Sequence, residues 1–169
     1  MNLFDEITPY NIQQGCLCNS YFLSALSALA EYPERIQRWF LSEGINEVGC
    51  YGVELFLNGE KTEIVIDDYL PVYKGTTDIA FSSSSGNDIW VQLLEKAWAK
   101  ANGGYDKIVF GLSGEVLKAI TGAPTFTFDH ENTKVDDIWK QLKGGFRAGY
   151  TMLCSIDNED YTYDEEDWV

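Results

Sequence analysis

In Gln14-Gly15-Cys16-Leu17-Cys18-Asn19-Ser20-Tyr21-Phe22-Leu23-Ser24-Ala25-Leu26, a polar, glycine-containing run gives way to a regular apolar one. Phe22, Ala25, Leu26 and Leu29 recur at i, i+3, i+4 and i+7, the spacing of one helix face. A helix is therefore expected to begin near Ser20 and to end before Pro33. This sets a hydroxyl at the amino end of a core helix, with a glutamine amide six residues earlier. A helix amino terminus favours a thiolate through its dipole and free amides. It does much less for a hydroxyl, which needs a general base to lose its proton. The simpler reading of Ser20 is that it caps the free amides.

Outward from this stretch the pattern alternates between helix and strand. Pro33 opens a second helix with Ile36, Trp39 and Phe40 facing inward. Residues 51–57 alternate, Asn58-Gly59 signals a hairpin turn, and residues 62–66 return as the second strand. A Gly/Ser-rich loop spans residues 74–87. Asp88 then opens and caps a helix carrying Trp90, Leu94, Ala97, Trp98 and Ala101, which Asn102-Gly103-Gly104 ends. Helices are expected over residues 113–121 and 135–143, the latter ended by Gly144-Gly145, and strands over 124–128 and 150–156. The acidic residues 157–169 read as a loose segment. The class is α+β, with Gly122-Ala123-Pro124 as a junction between residues 1–123 and 124–169.

Hydrophobic residues make up 45% and aromatics 14%, enough for a core. The formal charge of −15 makes nucleic acid and anionic membranes poor partners. The amino terminus has no apolar signal region, and the longest apolar run is too short for direct membrane insertion. Cys16 and Cys18 lie too close for a relaxed bridge, and the four cysteines form no CxxC pair, which fits a reducing, cytoplasmic setting. One histidine and scattered cysteines make no zinc set. Two acidic groups, Asp67-Asp68 and Asp88, are candidates for a hard cation, though neither reads as an EF-hand loop. His130, the lone histidine, would have to complete any Ser-His-Asp triad; a solvated turn histidine is the commoner case.

The opening stretch resembles the nucleophile segment of the calpain family of papain-like intracellular cysteine proteases, Gln-Gly-x-Leu-Gly-Asp-Cys-Trp-Phe-Leu-x-Ala. Five further segments are similar in order, one of them residues 117–122, which resemble Ala-x-x-x-Leu-Thr-Gly. Ile64-Val65-Ile66-Asp67-Asp68-Tyr69-Leu70-Pro71 resembles Val-Val-Val-Asp-Asp-x-Leu-Pro, and Gly86-Asn87-Asp88-Ile89-Trp90 resembles Gly-Asn-Glu-Phe-Trp. Leu93-Leu94-Glu95-Lys96-Ala97-Trp98-Ala99-Lys100 is similar to Leu-Leu-Glu-Lys-Ala-Tyr-Ala-Lys, and Leu153-Cys154-Ser155-Ile156-Asp157 to Gly-Cys-Ser-Ile-Asp.

The resemblance implies a calpain-like protease core with a helical first lobe and a small antiparallel sheet over residues 1–123. Residues 124–169 would be the start of a second lobe. It implies peptide-bond hydrolysis of protein or peptide substrates, with Gln14 on the oxyanion-hole position and Ser20 on that of the nucleophilic cysteine. It also implies calcium: Asn11 and Asp88 fall on two acidic ligand positions, and the neutral Asn11 and shorter Asp88 would weaken the site. The family's histidine and asparagine fall beyond the Ser-Ile-Asp segment. Cys18-Asn19-Ser20 replaces Gly-Asp-Cys, and three departures together point to natural loss more than to one engineered exchange. The expectation is a catalytically inactive protease domain in the cytoplasm, where cytoskeletal association would fit. A scaffold or interaction module in a larger assembly is the alternative, and an active serine hydrolase a third reading.

Overall fold

The computed structural model describes residues 1–155. Its first helix, α1 (Ser20–Ala30), starts at the expected residue and buries Phe22, Leu23, Ala25, Leu26 and Leu29. A single turn, α2 (Glu34–Gln37), follows Pro33 and buries Ile36. The hairpin pairs β2 (Cys50–Leu57) with β3 (Glu60–Asp67) antiparallel, Val53 opposite Ile64 and Leu57 opposite Glu60. Asn58 (φ 53°) and Gly59 (φ 85°) both adopt positive φ, as a two-residue turn of this hand demands. Tyr51, Val53 and Leu55 face the core, where α3 (Trp90–Asn102) and α4 (Ser113–Thr121) complete the packing. Gly103 (φ 99°) closes α3 in the left-handed conformation. Trp90 and Trp98 are core residues, Trp98 stacking on Phe22 at 5.9 Å.

The Gly/Ser-rich loop is more ordered than its composition suggests. Its Ser83–Ser84 pair forms β4, which pairs with β1 (Ile12–Gln13) just before the opening stretch. The loop thus returns to the amino side of α1 and positions it.

The carboxy-terminal region departs from expectation. Residues 124–128 are exposed and form no strand, because no described segment offers an edge to pair with. Residues 150–155 form no strand either; residue 156 of that expected strand, and the acidic stretch 157–169, lie outside the described residues. The last described helix, α5 (Val135–Arg147), runs through Gly144-Gly145. It ends at Arg147 with Ala148 as C-cap; Gly149 then takes positive φ (72°), and Tyr150 and Met152 fold back against Gly145. Only Ile138 and Gly145 of α5 are buried. No helix among the described residues is long and apolar enough to cross a membrane.

Candidate active site

Ser20 occupies the first position of α1 and is exposed. Asn19 precedes it at the N-cap, and its carbonyl accepts from the amides of Phe22 (2.9 Å) and Leu23 (3.2 Å). No side-chain hydrogen bond caps the helix, so the capping reading of Ser20 does not hold: one residue into the helix, its main chain is already helical. The same correction applies to Asp88. Ile89 is the N-cap of α3 and no side chain caps it; Asp88 instead turns inward and accepts from the Asp5 amide at 3.0 Å.

Gln14 and Ser20 line one open groove of about 440 Å³, together with Pro9, Ile12, Ser24 and Leu153. The groove follows the outer face of α1 as far as Glu31. Gln14 Nε2 donates to the Leu17 carbonyl at 3.1 Å, which tethers the amide within its own loop. Such an amide retains a second N–H, so the group can still present a donor to the groove.

The loop carrying Gln14 is held from behind. A Cβ at Gly15 would lie 2.1 Å from the Phe81 carbonyl oxygen, so no other residue fits without moving the chain. The Cys16 amide donates to Ala80 O at 2.9 Å. Beneath the start of α1, Asn19 Nδ2 donates to Glu95 Oε1 at 2.7 Å, and the Ser82 amide donates to Glu95 Oε2 at 3.1 Å. Burial pushes the Glu95 carboxyl above its ordinary value, and these two donors partly offset the rise. Tyr21 accepts from Trp98 Nε1 at 3.0 Å, and burial pushes its phenol up. Cys16 is exposed and hydrogen-bonded to Tyr73, whose phenol is raised chiefly by that contact.

His130 lies in an exposed turn and is absent from the groove lining. Asn11 and Asp88 flank the 85–88 loop. Asn11 Nδ2 donates to Glu6 O at 2.7 Å and its Oδ1 accepts from Ser85 Oγ at 3.1 Å; Asp88 Oδ1 is buried without a partner. Asp67 is exposed and bridges to Lys96. No group of three or more His, Cys, Asp or Glu among the described residues could hold a metal. Sequence reasoning passed over Glu95. Its marks in the sequence are its place in the Leu-Leu-Glu-Lys segment and its position between the buried Leu94 and Ala97 of α3.

A mixed helical core, a hairpin sheet and a core helix whose amino end opens on a glutamine-lined groove define the class. A family model for "Calpain family cysteine protease" matches residues 1–167, and the chain belongs to that family. It is 31% identical over 153 residues to the calpain-type cysteine protease DEK1 of Arabidopsis thaliana, covering 87% of this chain and 7% of that protein. Against the calpain-1 catalytic subunit of Mus musculus it is 30% identical over 161 residues, 94% of this chain and 22% of the other. The calpain of Schistosoma mansoni is 29% identical over 155 residues, 88% and 20% respectively. The chain therefore spans less than a quarter of the length of these relatives.

Proposed function

We propose that this chain is a calpain-type protease domain that holds protein or peptide segments in its groove without cleaving them. The observation that carries the reading is Ser20 standing in the groove with no base beside it among the described residues. The chain's single histidine lies in an exposed turn outside the groove lining. The acidic lining residue, Glu31, follows Ser20 by eleven positions, roughly 16 Å along a helix. A serine hydroxyl without a base within hydrogen-bond reach is a poor nucleophile. Gln14 beside Ser20 supports an oxyanion-hole ancestry for the groove. The test is hydrolysis of casein and of short peptides by the chain, with and without calcium at about millimolar level. The expected result is no turnover in either condition, and calcium-dependent cleavage overturns the reading.

Calcium binding at Asn11 and Asp88 is weak at most on this reading. The ion takes six to eight oxygens, yet Asn11 turns an N–H toward the Glu6 carbonyl and brings no charge. Asp88 alone brings charge, so the residues present fit the ion poorly. Calorimetry checks this: tight one-to-one binding abolished by Asp88→Ala contradicts it. The free cysteines among the described residues support a reducing, cytoplasmic setting.

A scaffold role is the second reading, and α5 favours it. Val135, Trp139, Leu142 and Phe146 are exposed along one side of that helix, the kind of surface a partner covers. On this reading residues 124 onward belong to a second lobe or to an assembly.

A further inference from the structure

Five polar or charged side chains are buried among the described residues: Asn19, Ser82, Asp88, Gln92 and Glu95. Three of them form one cluster under the amino end of α1. Glu95 is 1% exposed and Asn19 0%. Both Glu95 oxygens act as acceptors, one from Asn19 Nδ2 at 2.7 Å and one from the Ser82 amide at 3.1 Å. Two donors on the two oxygens favour the ionised form, while burial pushes the carboxyl above its ordinary value. No salt bridge among the described residues reaches it, so Asn19 and Ser82 solvate the charge. Meanwhile the Asn19 carbonyl starts α1 by accepting from Phe22 and Leu23. One residue thus joins a buried carboxylate on α3 to the first turn of the helix that presents Ser20.

We propose that Asn19 is a positioning residue: its amide and the Glu95 carboxylate form a clamp that holds the amino end of α1 and accommodates a single negative charge. The aspartate that calpain-like segments carry at this position would set two carboxylates about as close as the present 2.7 Å contact. Such a pair retains one proton to a raised pKa. The other groups facing the cluster do not relieve a second charge. Tyr105, from the turn after α3, has its phenol raised first by burial and then by the Glu95 and Asp67 charges. Lys96, next along α3, is engaged by Asp67 and the Tyr69 carbonyl.

The test compares three versions of the 169-residue chain: the parent, Asn19→Asp, and the charge swap Asn19→Asp with Glu95→Gln. Urea midpoints are measured from about pH 5 to about pH 8, the range over which a raised carboxyl pair titrates. The folded pair binds its proton more tightly than the unfolded chain. Its stability is therefore full at the acid end and lost as pH rises through the raised pKa. The Asn19→Asp midpoint should fall steeply toward pH 8, and the swap should return it to a shallow, parent-like slope. Loss of a merely structural hydrogen bond lowers the midpoint equally at every pH. Hydrogen exchange at the Phe22 and Leu23 amides reads the helix end itself: protection at pH 8 should drop about tenfold in Asn19→Asp and recover in the swap. If Asn19→Asp is unfolded at pH 8, the swap must still fold there. A parent-like pH slope in Asn19→Asp, or a swap no better than the single variant at pH 8, overturns the proposal.

Discussion

The residues behind the groove and the serine that lines it are held in different ways. The frame is closely fitted and mostly buried: Gly15 against the half-buried Phe81, Asn19 on Glu95, Phe22 stacked with Trp98. Position 20 is exposed, and its side chain caps nothing. Burial ties a residue to many partners, so its loss is costly whatever the chemistry. An exposed nucleophile is tied only to its reaction. A second contrast lies along the chain. The clustered core draws its residues from Leu3 to Ile120, whereas α5 leaves Trp139 and Phe146 in solvent.

The largest expected effect tests that second contrast. Phe22→Ala should cost about 3–5 kcal/mol of unfolding free energy, whereas Trp139→Ala should stay within about 0.5 kcal/mol. Equal losses in denaturant titrations would mean that α5 belongs to the same packed unit. Gly15→Ala follows, at roughly 1–3 kcal/mol, because the added methyl must displace the Ala80–Phe81 backbone. A neutral result would show that the loop carrying Gln14 is loosely held.

A smaller effect concerns acidity. Burial raises the Glu95 carboxyl pKa above its unfolded value, so the folded state holds that proton more tightly. The contribution favours folding below the unfolded value and is lost as pH rises through the raised one. Glu95→Gln should therefore flatten the decline of stability with pH above the ordinary carboxylate range. An unchanged slope would place the titration elsewhere. Smallest of all is Ser20→Ala, expected within about 0.5 kcal/mol of the parent. A loss near 1 kcal/mol would restore the capping role.

The sequence made these contrasts only partly legible, for physical reasons. The hairpin could be read because Asn58-Gly59 is local turn chemistry, and α1 because its apolar period is local too. The β1–β4 pairing could not: two serines within a Gly/Ser-rich loop carry no strand pattern, and their partners lie some 70 residues away. The strands expected after residue 123 failed for the converse reason. Local pattern suggested extension, but a strand exists only where another edge meets it. Gln14 and Ser20 were legible as a pair by spacing, and they do share a groove. Glu95 was not, since its partner Asn19 stands 76 positions earlier.

On the proposed reading the groove survives without a working nucleophile. Incubating the chain with a fluorophosphonate probe and mapping adducts by mass spectrometry tests it most directly. With no base beside the hydroxyl among the described residues, Ser20 should remain unmodified over hours, like any surface serine. Stoichiometric labelling of Ser20, lost in Ser20→Ala, would contradict the account and make this groove the site of an active serine hydrolase.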